Sequence, residues 1–286
     1  MSQQIKKLVA KPEFGPFVLL VGMIVVFTSI NPSYLSILNI SNLLVFTVEL
    51  GLIALAMTLL MTAGEFDLSV GSVFGFCPVL MWTLYNEGVA GIEIAFLASL
   101  LAAAVIGFLN GWFVTRLRIP SFLVTLGMLL VVRGTALYVT DGFPQRTWDA
   151  AGLWLAEVLV GDFYIGELRI FMSLFWFIGA AVIFGYVLTQ TKAGNWIQAS
   201  GGNPNAARAR GVKVNRTKMA LFILSACMSG FAGIISSIRT SAANPNSGTT
   251  YELEVIAMVV IGGTALRGGR GTIIGTVIGI LILRLM

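Results

Sequence analysis

From Phe14 to Val48 the chain carries no charged side chain. About 20 apolar residues in a helix are enough to cross the hydrocarbon core of a bilayer. This run is long enough for more than one crossing, and several others follow it. Of the 286 residues, 57% are hydrophobic and 11% are charged, with a mean hydropathy of +0.91. A soluble domain carries roughly 25% charged residues. A charge content this low cannot cover a water-facing surface, so lipid is the solvent for most of the chain. The expectation is an all-α polytopic membrane protein forming a single transmembrane domain over 1–286.

Breaks in the apolar runs set the spans. Asn31-Pro32-Ser33 divides the first run, because proline disfavours helix at the residue before it. Spans are expected at about 14–30, 42–63, 70–86, 92–115, 119–140, 170–190, 219–238, 252–266 and 272–286. That makes about nine. The last apolar run continues to the final residue, which reads as a chain cut short before a further helix. The N-terminal stretch has no small-residue cleavage site after a short apolar core, so the first run reads as a retained span.

Charge placement tests this count. With the N-terminus in the cytoplasm, thirteen Lys and Arg fall in inner segments, against Arg146, Arg169 and Arg239 outside. Arg133 and Arg284 lie in spans. The excess of basic residues on one side gives the orientation. It places 141–169, with Asp141, Asp149, Glu157, Asp162 and Glu167, on the extracytoplasmic side. The basic balance, net +5, is that of loops facing an anionic leaflet and not of a nucleic-acid binder.

Several chemistries are excluded. The chain has no histidine, so a Ser-His-Asp or Cys-His nucleophile pair is impossible. Its two cysteines, Cys77 and Cys227, sit inside apolar runs without metal-ligand spacing. No G-x-x-x-x-G-K-[ST] motif is present to cradle ATP phosphates. Gly268-Gly269-Arg270-Gly271 lacks the spacing of a dinucleotide site.

Polar groups within the spans are the candidates for function, since a charge at the bilayer centre costs at least about 2.5 kcal/mol. Glu49, Arg133, Glu252 and Glu254 are such groups. They either pair internally and snorkel, or line a path for a hydrophilic solute. A break near 64–72 adds Gly64, Asp67, Ser69, Gly71 and Ser72. Asp67 or Ser69 is suited to cap the helix that follows. The stretch is either a capped turn or a broken helix lining a pathway, since irregular backbone in a membrane must be buried in protein or face water. The order of Glu49, Gly64 and Gly71 is weakly repeated in Glu252, Gly263 and Gly269, as in transporters with internal repeats.

One polar segment stands out. Residues 191–218 hold Lys192, Arg208, Arg210, Lys213, Arg216 and Lys218 and no acid. A membrane protein that keeps such a segment in the cytoplasm uses it to touch something there.

Three blocks carry a resemblance: AGEFDLSVGS at 63–72, ASGGNPNAARARGVKVNRTK at 199–218, and ANPNSGTTYELEVIAMVVIGGTALRGGRGTIIGTVIG at 243–279. Together they resemble the membrane permease subunits of bacterial ABC importers for ribose and other monosaccharides, over essentially the whole chain. Members of that family are some tens of residues longer, with about ten spans. The resemblance implies a translocation path for a monosaccharide or similar polyhydroxy solute, in a bacterial inner membrane. It implies a second permease copy (identical or not), a periplasmic solute-binding protein and two cytosolic ATP-binding subunits. The chain itself would be no enzyme and would hold no cofactor, with ATP-Mg on the partner subunits. Residues 191–218 become a coupling loop, with Gly201, Asn203, Ala206, Ala207, Arg208, Arg210 and Gly211 as contact candidates. Asn203 would cap a short helix opening on Pro204, and Gly211 would stop it. The small Ala206 and Ala207 would seat that helix in a groove of the ATPase.

Two other classes compete: an ion-coupled secondary transporter working without an ATPase, and a membrane scaffold. No regular series of intramembrane carboxylates supports the first. The polar interruptions and glycine-rich breaks speak against the second.

Overall fold

The computed structural model describes residues 12–147 and 150–286. Lys6, Lys7, Lys11 and Asp149 lie outside them. The fold is helical, with two small two-stranded sheets at one end.

Helix α1 (Phe14–Ile30) ends where the Asn31 side chain accepts from Ser33 N–H and Pro32 opens a short 3-10 turn. Ser36 Oγ then accepts from Asn39 N–H and starts α2 (Ile37–Thr62). The cap sets this start ahead of the expected residue 42, because a capped polar first turn is as good a beginning as an apolar one. Helix α2 is the core: every residue from Thr47 to Ala63 is buried. The next three helices, α3 (Val70–Asn86), α4 (Ile92–Arg116) and α5 (Ser121–Val139), pack on one another.

The segment after α5 is more structured than a loop. It contains β1 (Gln145–Arg146), α6 (Trp154–Val160), and a hairpin of β2 (Asp162–Ile165) and β3 (Leu168–Phe171). Its polar sequence concealed this, because short strands and a two-turn helix carry no long apolar period. Helix α7 (Met172–Gln190) follows. The basic segment then forms α8 (Lys192–Gly202) and α9 (Pro204–Ala209), and α10 (Val214–Thr240) begins well before its apolar part. Arg239, expected in an outer loop, lies in the last turn of α10. Strand β4 (Ala242–Ala243) pairs antiparallel with β1. Helices α11 (Tyr251–Ile261) and α12 (Ile273–Leu285) complete the chain.

Helices α2, α4, α5, α7 and α10 are each long and apolar enough to cross a bilayer. Leu97, Leu101, Val105 and Phe108 form an exposed stripe on α4, as expected of a lipid-facing side. Small residues bring helices together elsewhere. A methyl on Gly107 would meet Phe222 O at 2.5 Å, and one on Gly233 would collide with Phe74 O. Such close approach is how spanning helices gain packing energy when lipid is as apolar as they are.

The basic segments gather at one end. Lys218 Nζ meets Glu65 Oε1 at 2.5 Å, Asn215 Nδ2 donates to Thr115 O, and Gly269 N–H donates to Thr62 O. The sheets lie at the opposite end, where Asn86 reaches Arg146 O and Trp154 Nε1 donates to Glu93 Oε1.

Helix α11 is shorter than the span expected at 252–266. Its 11 residues rise only about 17 Å, because the chain enters it through non-helical backbone at 244–250.

Candidate functional site

Two helices begin within the thickness of the protein. Between α2 and α3 the chain leaves helix at Ala63, and Gly64 turns it with φ +82. Glu65 sits level with Lys218, while Val70 O accepts from Ser229 Oγ. From Lys218 to Ser229 helix α10 rises roughly 16 Å. Residues 65–67 climb beside α10 outside any helix, 68–69 turn into α3, and α3 starts part-way along α10. The break is a discontinuous helix and not a simple capped turn.

Buried polar side chains fix this segment. Asp67 Oδ1 accepts from Ser69 N–H at 3.0 Å and from Ser69 Oγ at 2.6 Å. Asn110 Nδ2, from α4, lies 2.9 Å from Ser69 Oγ. Asp67, Ser69, Ser72 and Asn110 are fully buried. Neither Asp67 nor Ser69 caps α3 from its first turn: the Ser69 hydroxyl is turned back to Asp67, and Ser72 Oγ donates to Ser69 O. An apolar setting rewards the bond to a carboxylate over one to a distant amide.

The second mid-depth start is α11. Residues 244–250 descend from β4, turning at Gly248 (φ +76) and Thr250 (φ +72). Gly248 comes against Gly71, where a methyl on either glycine would strike the other's carbonyl oxygen. Phe74 and Tyr251 stack edge to face across the junction, with ring centroids 5.1 Å apart. Glu252 lies beside Gly71.

The intramembrane charges do not pair as a set. Glu49 is buried and accepts from Arg239 Nη2 at 2.5 Å and Nε at 2.9 Å. Arg133 bonds to backbone carbonyls instead: Pro245 O at 2.5 Å, Ser247 O at 2.7 Å and Gly71 O at 3.1 Å. Glu49 and Arg133 are thus separate, the first an ion pair and the second a ligand of irregular backbone. At the far end Arg169 rests on Asp162 at 2.8 Å, and that hydrogen bond raises the guanidinium above its ordinary pKa.

At the basic end the expected short helix is present as α9. Asn203 Oδ1 accepts from Asn205 and Ala206 N–H, with Pro204 as the first helical residue. At its other end Gly211 has φ +83, Gly211 N–H donates to Arg208 O and Val212 N–H to Ala207 O. That pair of bonds is a Schellman ending. Arg208 reaches Asn205 and Asn215, while Arg210 extends outward. Ala206 is exposed, but Ala207 is buried against the protein's own helices. The outward small residues are therefore Ala206 and Ala209, not the expected Ala206 and Ala207.

Gly201 is the join between this unit and the membrane helices. A methyl there would collide with Thr62 O and come to 2.6 Å from Gly269 N. Gly268 in turn lies against Gly64 and Gly201. Four glycines from three separate segments meet here: Gly201, Gly268 and Gly269 leave no room for a Cβ, and Gly64 turns with φ +82. The sequence marks Gly64 as a break and Gly201 as a coupling contact, but nothing in it shows that these glycines meet. The weak repeat extends this far: Gly64 and Gly263 both turn with positive φ, +82 and +95. Beyond the turn Gly71 is helical and Gly269 is not, so the likeness stops there.

These features define a multi-pass helical membrane protein with two discontinuous helices and a helical basic unit packed on their turns. The chain belongs to the family described as branched-chain amino acid transport system / permease component, whose model matches residues 39–286. It is 36% identical over 269 residues to the ribose import permease protein of Escherichia coli K12, covering 92% of this chain and 81% of the relative. It is 34% identical over 257 residues to the L-arabinose ABC transporter permease protein of Azospirillum brasilense, covering 88% and 72%. It is 33% identical over 275 residues to the autoinducer 2 import system permease protein of an Enterobacter species, covering 96% and 78%. No solved structure matches it.

Proposed function

We propose that this chain is the transmembrane subunit of a binding-protein-dependent ABC importer, forming the path for a monosaccharide or similar small polyhydroxy solute. It works in a bacterial inner membrane beside a second permease copy. Separate cytosolic subunits bind and hydrolyse ATP, and a solute-binding protein delivers the solute from outside. The relatives' names support the solute class, and the absence of a phosphate-binding motif agrees with energy supplied by another chain.

The observation that carries the reading is the seat of Gly201. Helix α9 is capped at both ends and presents Ala206 and Ala209 outward. It follows directly from α8, whose last turn holds Gly201 against Thr62 and Gly269. A push on α9 therefore arrives at the turns of both hairpins, α2 to α3 and α11 to α12. Packed interiors transmit such displacements because they have little room to absorb them. The short α9 is the lever, and the glycine junction is where it acts.

The test is co-purification of the ATP-binding subunits with Ala206→Trp and Ala209→Trp variants. Both are exposed, so the fold tolerates them while a docking groove does not. Loss of the associated ATPase and of uptake is expected. Normal association and uptake would overturn the coupling role. A native complex that never contains an ATPase, together with uptake driven by an ion gradient in liposomes, would replace the importer with a secondary transporter.

A further inference from the structure

Arg133 stands apart from the cytoplasmic unit. It projects from α5, six residues before that helix ends, so it lies roughly 9 Å below the outer end. Its guanidinium donates to two carbonyls of the descending stretch, Pro245 O and Ser247 O, and to Gly71 O in the first turn of α3. The two elements it joins are the ones that interrupt the membrane helices. A second observation marks the same junction. Gly71 and Gly248 approach so closely that neither accepts a Cβ, and a methyl on Gly75 would come within 3.0 Å of both Arg133 Nη1 and Pro245 O.

We infer that Arg133 is a positioning residue, the latch that holds the extracytoplasmic stretch 244–250 onto the start of α3. The inference rests on the importer reading for its consequence, but the latch itself does not. Buried carbonyls without donors are costly in a membrane interior. Turn bonds occupy Asn244 O, Asn246 O and Gly248 O but not Pro245 O or Ser247 O, and a single planar guanidinium offers these two several donors in a fixed fork. An ammonium on a lysine stem could reach one or two of these oxygens but not all of them at that geometry.

The latch also closes a mechanical route. Movement of α9 reaches the α2 to α3 turn through Gly201. The climb 65–69 carries it to the start of α3, and Arg133 passes it to the outer stretch. A device of this kind makes the outer face respond to the inner one. Without it, α3 can move while 244–250 stays behind.

The experiment is hydrogen–deuterium exchange on the full importer complex in nanodiscs, comparing the native chain with Arg133→Gln and Arg133→Lys. In Arg133→Gln the amides of 244–250 and 70–75 are expected to exchange at least about tenfold faster, the effect of losing charge-assisted bonds. Those of α2 and α10 should be unchanged. Arg133→Lys should recover part of the protection. On the same samples, the ratio of solute-stimulated to basal ATP hydrolysis should fall about tenfold in Arg133→Gln, with partial rescue by lysine. Unaltered exchange at 244–250 would overturn the latch. Exchange rising throughout the chain would overturn it too, leaving Arg133 a general structural residue. A local rise with an unaltered hydrolysis ratio would overturn the coupling role. If no ATPase accompanies the native chain, it is the importer reading that fails, and the exchange result on the chain still decides the latch.

Discussion

Arg239 Nη2 and Nε both donate to one oxygen of Glu49, at 2.5 and 2.9 Å, joining the last turn of α10 to the first half of α2. The Glu49 side chain is 5% exposed and that of Arg239 19%. Phe46 covers the guanidinium at 5.2 Å from its ring centroid. This is a desolvated pair, and the free energy of each charge depends on the other. Replacing one partner leaves an uncompensated charge, a loss of about 3 kcal/mol for a well-buried pair and less here because Arg239 keeps some water. Glu49→Gln and Arg239→Gln are each expected to lower the thermal midpoint in nanodiscs. The combination Glu49→Leu with Arg239→Leu should recover much of the loss. Simple additivity of the single effects would show that the two charges act independently.

The glycines divide into two mechanisms, and substitution by alanine separates them. At Gly201 φ is ordinary but a methyl collides with Thr62 O and Gly269 N. At Gly211 there is open space but φ is +83. Gly211→Ala should cost about 1 kcal/mol through backbone strain alone and leave uptake nearly intact. Gly201→Ala must push α8 away from two turns, an overpacking cost of about 1–3 kcal/mol. Uptake should fall well beyond what the stability loss explains. Measured together, thermal midpoint and solute uptake distinguish the two. Equal uptake in both variants would argue against the glycine junction as a point of force transfer.

Much of this arrangement was legible in the sequence. The helix at Val70–Asn86 matches its expected bounds, since a glycine-marked break precedes it and a polar turn follows. Asn203, Pro204 and Gly211 announced α9, because capping and stopping are local and depend on residue type. What could not be read was partnership across distance. The charge pattern places Arg239 in an outer loop, and only the fold shows that it neutralises Glu49. Ala206 and Ala207 look identical as letters, and burial alone separates them. Helix α8 was hidden by three glycines of poor helix propensity, which tertiary packing of Gly194 and Gly201 overrides.

The buried cluster at Asp67 gives a third expectation. Its Oδ1 holds Ser69 by both the amide and the hydroxyl, and Asn110 is tied to the same serine. Asp67→Ala removes the acceptor and leaves a buried N–H unsatisfied, at a cost of about 1–3 kcal/mol. Asp67→Asn keeps one acceptor oxygen and should cost less. Thermal unfolding of the two variants checks the order. If alanine is tolerated better than asparagine, the cluster does not fix the climb of residues 65–69.

Asn203 provides the most direct test of α9, because its side-chain hydrogen bonds go to the helix it starts. Oδ1 accepts from Asn205 N–H at 3.2 Å and from Ala206 N–H at 3.0 Å. A helix of six residues has little propagation to offset its nucleation, so its caps decide whether it forms. Asn203→Ala should cost about 1 kcal/mol of local helix stability. The change is too small to unfold a membrane domain held by α2 and α10. It is large enough to shift the population of a short exposed helix about fivefold. Association with the ATP-binding subunits should weaken accordingly, measured as dissociation of the purified complex on dilution. Asn203→Asp and Asn203→Ser supply an equivalent acceptor and should restore it. A weakening that these two variants do not reverse would mean that Asn203 acts through direct contact with the partner and not through the cap.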